Sequence, residues 1–470
     1  MSSFASSLKD PSLFVEKSYI NGQWTSSDSG KTFQVTNPAT EELIGTCPES
    51  TIGDLNNAID AAAKAFPEWK ALSGRQRSRI IGRIFDLLVD NQADLGKIIT
   101  AENGKAKADA EGEVMFGASF FEWYGEEAAR IYGDIIPHSN PNYRTRVIKE
   151  PVGVCGLIVP WNFPLAMGAR KVSAALAAGC TVVMKSDGLT PFSSNALAVL
   201  CERAGVPPGV FNVVTALENT PHLGLALCES DVVKKISFTG STRVGKLLMQ
   251  QSSNTLKKLS LELGGNAPFI VFDDADMDIA ISSVLVSKFK VTGQTCVCAN
   301  RIFVQEGIYD RFSQRLVEEV RKFRVGNGTD ALVTHGPLTN GVGKVEEHIK
   351  DAVAKNAKIL LGGNRLPSAG KNFYELTILG DVDDSMTVTQ EETFVGLASY
   401  VITNDLARST RVSELLEFGM VAINTGVISD ASAPFGGVKH SGFGREGSKY
   451  GLEDYLTIKM IVIGGISTRL

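Results

Sequence analysis

Between residues 147 and 263, short runs rich in Val, Ile and Leu alternate with longer stretches of helical period, and nothing else in the 470-residue chain limits its fold so narrowly. The spacing predicts strands at 153–159, 181–185, 210–214, 232–238 and 257–261, with helices at 166–178, 191–204, near Pro221 and at 242–250. A parallel pair needs a crossover where an antiparallel pair needs only a turn, so this alternation implies a parallel sheet with helices on both faces. A second alternating series runs from 269 to about 424. It places strands at 269–272, 299–305 and 358–361 and helices at 276–289, 309–323 and 344–355. Upstream, 19–45 reads as a hairpin region broken by Asn21-Gly22 and Asn37-Pro38, and helical period recurs at 54–70, 75–91 and 111–132. Residues 455–463 read as an exposed strand suited to pairing with another subunit.

Composition removes several function classes. Lys and Arg number 47 against 52 Asp and Glu, a net charge of −5, so nothing pulls the whole chain toward nucleic acid or an anionic membrane. No run of about 20 apolar residues occurs, which excludes a helical span. Seven scattered cysteines are no disulfide framework and point to a reducing compartment. The N-terminus is Ser-rich, lacks Arg until well past Asp10 and has no apolar signal run, and Thr468-Arg469-Leu470 only weakly matches a peroxisomal address. The expected location is the cytoplasm.

Four local patterns carry chemistry, each with an ordinary alternative. Phe238-Thr239-Gly240-Ser241-Thr242-Arg243-Val244-Gly245 is a strand, a Gly turn and a helix start, which suits a pyrophosphate but also describes any β–α turn. Gly293-Gln294-Thr295-Cys296-Val297-Cys298 is a nucleophile loop or a pair of core cysteines. Leu261-Glu262-Leu263-Gly264-Gly265-Asn266 buries a carboxylate that is either salt-bridged or held as a base. Pro160-Trp161-Asn162-Phe163-Pro164 offers an amide to an oxyanion or is a plain Asn turn. A cysteine hydrolase is disfavoured because no His lies near Cys296 in sequence and the chain has only five.

Taken in order, and together with Glu391-Glu392-Thr393-Phe394, these motifs resemble the aldehyde dehydrogenase superfamily over nearly the whole chain. Gly-Gln-Thr-Cys-Val-Cys-Ala-Asn, Pro434-Phe-Gly-Gly-Val-Lys and Gly444-Arg-Glu-Gly-Ser-Lys-Tyr-Gly451 are most similar to succinate-semialdehyde dehydrogenases. The resemblance implies an α/β fold: a Rossmann-type dinucleotide-binding domain (1–130 and 151–262), a second α/β catalytic domain (263–435) and a β-strand oligomerisation arm with the C-terminal segment (131–150 and 436–470). It implies Cys296 as nucleophile, Glu262 as base and Asn162 as oxyanion donor. NAD or NADP would be held by Trp161, Lys185, Gly188, Phe238, Gly240, Ser241, Gly245, Leu263, Glu392 and Phe394. Substrate would be held by Arg170, Lys290 and Ser429, with no metal. A small aldehyde substrate and a homodimer or homotetramer follow, with no nucleic-acid or membrane partner.

The sequence departs from the family at Gly188, at Lys290 and after Phe394, and Cys298 adds a redox candidate. Gly188 stands where NAD-preferring members carry a ribose-binding Glu, so NADP is expected to be accepted unless neighbouring Asp187 takes the carboxylate's place. Lys290 replaces an Arg of the substrate site, keeping charge but losing the two-pronged fork. Cys298 lies two residues from the nucleophile, a candidate redox partner or a packed strand residue. Phe394-Val395-Gly396 joins directly where family members insert a strand and a helix, a loss of roughly twenty residues at ordinary element lengths. That loss predicts exposed apolar surface and a weakened catalytic domain, and leaves open a different chain-length preference or a relative without turnover.

Overall fold

The computed structural model describes residues 4–391 and 397–466. Glu392 and Phe394, expected at the nicotinamide end of the cofactor site, lie outside the described residues.

The first alternating series forms an eight-stranded sheet. Five strands, Val154–Ile158, Thr181–Lys185, Phe211–Val214, Val233–Thr239 and Lys258–Glu262, run parallel at its centre. The first three are buried at every residue, as sheets covered on both faces must be. Helices Ala166–Ala178, Pro191–Arg203, Thr220–Glu229 and Thr242–Ser252 make the crossovers. Both edges are closed by distant chain. Ser18–Ile20 pairs with Phe211–Val214 and with Gln23–Thr25 through the Asn21-Gly22 turn, and Gly442–Phe443 pairs with Lys258–Glu262. Sequence reading foresaw the hairpin but not its membership of this sheet, nor the strand Gly442–Phe443, which has too few residues to show a period.

The second series forms a smaller parallel sheet in the order Ala299–Val304, Ala267–Val271, Ala398–Ile402, Met420–Ile423, but the strand expected at 358–361 stands outside it, paired antiparallel with Ile378–Gly380. Helices Met277–Phe289 and Leu406–Leu415 connect its strands. Phe303 on the edge strand is half exposed, as are Val286 on the first helix and Ile423 on the opposite edge, and Leu406 and Leu415 are more exposed still. The third unit is a three-stranded antiparallel sheet of Asp134–Ile136, Arg144–Pro151 and Leu456–Ile463, the last two paired along their full length. Among the described residues no helix is long and apolar enough to cross a membrane.

One long helix escaped the periodic reading. Gln92–Asn103 is buried at nearly every residue from Asp94 onward, so its sequence carries no polar face to betray a period. The helix expected at 111–132 spans Lys107–Glu127 instead.

Candidate active site

The two parallel sheets present their loops to one another, and three of the four sequence patterns meet there. The nucleophile loop follows helix Met277–Phe289, and Val291 and Thr292 take left-handed backbone with φ of 52° and 54° before Gly293 at 76°. β-Branched residues rarely adopt that conformation, so the turn is strained. It is held by contacts that over-determine it: the Val291 amide donates to Asp109 at 3.1 Å, and the Thr292 hydroxyl donates to the Gly336 carbonyl at 3.2 Å. Beyond it, the Leu397 amide donates to the Cys296 carbonyl at 2.8 Å and the Tyr400 hydroxyl to the Val297 carbonyl at 2.8 Å. The nucleophile loop therefore rests directly on strand Ala398–Ile402.

Asn162 is buried and its side-chain amide donates to the Gln294 carbonyl at 2.9 Å, two residues before Cys296. Glu262 ends strand Lys258–Glu262 and is buried, with Arg170 at 2.5 Å and the Thr239 hydroxyl donating at 3.0 Å. Cys296 is half-buried and feels the charges of Glu262 and Arg170. Thus amide, carboxylate and thiol converge across more than a hundred residues of sequence.

Burial shifts the titration of the thiol and of the carboxylate alike. Burial, reinforced by the negative charge of Glu262, pushes the Cys296 thiol up to about 12, so it is protonated at neutral pH. Burial likewise raises Glu262 to about 7, against the pull of Arg170. A carboxylate near 7 beside the thiol is placed to accept its proton, although the thiol's higher titration makes that transfer uphill in this unliganded site. Glu446 is the contrast: burial would raise it, yet Lys171 and Arg170 overcome that and hold it at about 2. Arg170 contacts Glu446 at 2.5 Å, and Lys171 also pairs with that carboxylate. Glu446 lies in the segment Gly444–Gly451, and Lys171, 275 positions away, leaves no local signal of the pairing.

On the cofactor side, Ser241 caps helix Thr242–Ser252, accepting from the Val244 amide at 3.4 Å. A Cβ on Gly245 would lie 2.3 Å from the Leu263 side chain, and one on Gly240 2.5 Å from the Phe238 ring. The helix start is thereby pressed onto Leu263, the residue after strand Lys258–Glu262, and a helix start of this kind suits a phosphate. Lys185 is buried, and burial lowers it to about 8 against the pull of Asp187 and Glu49. The buried Ser186 hydroxyl beside it has no protein partner. A Cβ on Gly188 would meet the Leu217 side chain and the Ala216 carbonyl, at 2.7 and 2.9 Å, so no carboxylate fits at 188 in this chain. A helix amide end, a buried cation and an unpartnered hydroxyl suit the phosphates and ribose of a dinucleotide. Trp161 is partly exposed at the mouth of its loop.

The substrate candidates are not gathered. Arg170 is buried between Glu262 and Glu446, while Lys290 is exposed at the end of helix Met277–Phe289. Ser429 lines a 320 Å³ cleft with Phe116, Ser119, Glu122, Trp123 and Glu126, which neither Arg170 nor Lys290 borders. Cys298 is buried, its thiol donating to the Lys288 carbonyl at 3.3 Å, and both it and Cys296 are free.

Comparison with known proteins agrees with the motif order. The profile of the aldehyde dehydrogenase family matches residues 24–395 and 395–461, two stretches that meet at one residue. A glutarate-semialdehyde dehydrogenase of Pseudomonas aeruginosa is 51% identical over 485 aligned residues, covering 98% of this chain and 100% of that protein. The NADP(+) succinate-semialdehyde dehydrogenase of Saccharomyces cerevisiae is 50% identical over 484, covering 98% and 97%. The crystal structure of succinate-semialdehyde dehydrogenase from Burkholderia pseudomallei superposes with a TM-score of 0.96 at 48% identity, covering 97% of this chain and 100% of the other. Matched end to end by sequence and by backbone alike, the chain belongs to the aldehyde dehydrogenase family.

Proposed function

We propose that the protein oxidises a short aldehyde carrying a distal carboxylate, of the succinate- or glutarate-semialdehyde class, to the corresponding acid with NAD+ or NADP+. The observation that carries this reading is the Asn162 amide docked on the nucleophile loop beside a carboxylate near pKa 7. Glu262 takes the Cys296 proton, and the thiolate adds to the aldehyde carbon to form a C–S bond. The carbonyl electron pair moves to oxygen, where the Asn162 amide and the Cys296 N–H donate to the anion. Collapse of that anion expels hydride and leaves a thioester on Cys296. A dinucleotide held on the Lys185 and Gly245 side would supply the hydride acceptor. Glu262 passes the Cys296 proton to solvent and then takes a proton from water as that water attacks the thioester; the C–S bond breaks to release the acid, and Glu262 returns the proton to the departing thiolate.

Lys185 attracts a 2′-phosphate while Asp187 beside it opposes one, so both cofactors are accepted. Arg170, Lys290 and Ser429 do not form one carboxylate site, since Arg170 is held by Glu262 and Glu446 and Ser429 lines a separate cleft, so the substrate class rests on the relatives. The relatives named for four- and five-carbon semialdehydes support the substrate class without choosing a length. Reduced nicotinamide absorbance, followed across aldehydes with and without a distal carboxylate, tests the assignment. Turnover of carboxylated aldehydes, lost at least about a thousandfold in Cys296→Ala, is expected. Turnover surviving that substitution would reject it.

A second reading concerns the join at 394–396. The break in the profile match at 395 and the exposed Phe303, Ile423, Leu406 and Leu415 support the loss of a strand–helix unit from the second sheet. The catalytic groups persist while the sheet carrying the nucleophile is weakened, and turnover is low. The three-stranded unit, with Ile135, Ile458 and Met460 exposed, supports a homodimer or homotetramer. Cys296 and Cys298 form a disulfide under oxidation in the same reading, which peptide mass spectrometry of peroxide-treated protein tests.

A further inference from the structure

Outside every motif used above, the segment Glu102-Asn103-Gly104-Lys105 is buried almost completely and touches three parts of the site. Asn103 donates to the Trp161 carbonyl at 3.0 Å, and Lys105 donates to the Asn162 carbonyl at 2.7 Å. The two carbonyls flanking the Asn162 Cα are thus gripped by one short stretch of chain. Lys105 pairs with Glu113 at 2.5 Å, both side chains fully buried, and sits 4.2 Å from the centre of the Phe163 ring. The second oxygen of Glu113 accepts from the Leu165 and Ala166 amides at 2.9 and 3.1 Å, fixing the start of helix Ala166–Ala178, which carries Arg170 and Lys171. From the same segment, the Asn103 carbonyl accepts from the Thr339 hydroxyl at 2.7 Å, and the Thr339 amide donates to the Gln294 side chain at 3.0 Å. Gln294 in turn receives the Asn162 amide on its own carbonyl. Glu102 accepts from the Phe192 and Ser193 amides at 2.8 and 2.9 Å, at the start of helix Pro191–Arg203 beyond the Lys185 loop.

Close packing admits little play. Gly104 has φ of +88°, and a Cβ there would lie 2.7 Å from Pro337 and 2.8 Å from Pro38, while a Cβ on Gly336 would lie 1.9 Å from the Gly104 carbonyl. A buried Lys–Glu pair is costly to desolvate and is weak evidence for stability, so its retention calls for another role.

We propose that Lys105, with Glu113 and Asn103, is a positioning device that sets the Asn162 amide relative to the Cys296 loop and so the strength of oxyanion stabilisation. The proposal rests on the reaction assigned above. Donors act only when aimed at the position that the oxyanion will occupy, and a displacement of about 1 Å can cost on the order of a hundredfold in rate. The residues themselves touch no reacting atom.

The test pairs Lys105→Met/Glu113→Gln, which removes both buried charges together and keeps an oxygen for the Leu165 and Ala166 amides, with the milder Asn103→Ala. Expected for the pair is a fall in kcat of about ten- to a hundredfold with KM for the aldehyde within about threefold. In an Asn162→Ala background the same pair is expected to change kcat by less than about threefold, because the group being positioned is gone. Unchanged kcat, or a full additional loss in that background, would overturn the proposal. Amide exchange within 161–169, read by mass spectrometry, supplies a readout free of turnover. It is expected to accelerate at least about tenfold in both variants with the central strands unaffected. If the wild-type protein reduces no dinucleotide with any aldehyde, the assigned reaction falls, and this exchange measurement decides the clasp alone, unchanged exchange overturning it.

Discussion

The two parallel sheets obey the same rules and differ in how completely they are covered. In the first, strands Val154–Ile158 and Thr181–Lys185 are buried throughout, and both edges are closed by chain from distant positions. In the second, the edge strand Ala299–Val304 and the opposite strand Met420–Ile423 leave Phe303 and Ile423 in water, with Leu406 and Leu415 exposed on the connecting helix. The catalytic groups are divided between them. Glu262 and Asn162 belong to the well-covered sheet, and Cys296 hangs from the other through Leu397 and Tyr400. The difference lies at the edges: the strand that holds the Cys296 loop, Ala398–Ile402, is buried throughout, while its flanking strands and the helix Leu406–Leu415 expose apolar side chains.

The largest expected effect separates the sheets directly. Protection of backbone amides follows local unfolding free energy, so amides of 299–304 and 406–423 should exchange about a hundredfold or more faster than those of 154–158 and 181–185. Hydrogen exchange by mass spectrometry reads this, and equal protection would erase the contrast. Inserting between Phe394 and Val395 the residues that the aligned Pseudomonas aeruginosa relative carries there should close the gap and raise turnover by about tenfold or more. A graft that restores neither protection nor turnover would show that the second sheet needs no cover.

Next in size is the acid limb of turnover, which probes the covered side. Glu262 works as a base only when deprotonated, and burial places its titration at about 7. As pH falls below that value the working fraction drops, so kcat/KM should decline about tenfold per unit. Glu262→Gln should remove the limb along with most of the activity. A profile flat from pH 5 to 8 would remove Glu262 from the role. Arg170→Met should move the limb upward, because the charge that opposes protonation of Glu262 is lost.

How far the sequence disclosed this arrangement depended on whether a signal was local. The strands of the first sheet were readable because each is a short apolar run bounded by turns, and the strand at Val154–Ile158 lies within the 153–159 expected of it. Cys296, Glu262 and Asn162 were readable because each sits in a compact motif. Helix Gln92–Asn103 was invisible because burial on every side removes periodicity. Lys105 and Glu446 were invisible for a different reason: what makes them matter is Asn162 at 57 positions' distance for the one and Lys171 at 275 for the other. Arg170, expected to hold substrate, is the partner of two buried carboxylates, Glu262 and Glu446, which no local pattern signals.

A smaller effect distinguishes the cofactors on the covered sheet. Lys185 is cationic below about 8 and neutral above it, because burial disfavours its charge. Attraction for a 2′-phosphate is therefore present at pH 7 and lost as pH rises past that value. KM for NADP should rise about fivefold between pH 7 and 9 while KM for NAD stays nearly constant. Parallel changes for both cofactors would place Lys185 away from the ribose. Asp187→Asn should lower KM for NADP, by removing the opposing carboxylate.

The smallest effect returns to the weaker sheet, at the turn before the nucleophile. Thr292 holds φ of 54° and is only partly buried, so its side chain is not needed to fill a core. An L residue in that conformation costs roughly 1–2 kcal/mol, and Asn tolerates it best after Gly. Thr292→Asn gives up the 3.2 Å bond to the Gly336 carbonyl, a net loss of about 1 kcal/mol unless the Asn amide replaces it. The two terms leave a gain of up to about 1 kcal/mol, or about 2–4 °C in the melting of a domain of this size. Calorimetry should place that gain in the transition of the second sheet alone. A gain in the first transition, or a loss in the second, would mean that the strain at 292 is not what limits the sheet carrying Cys296.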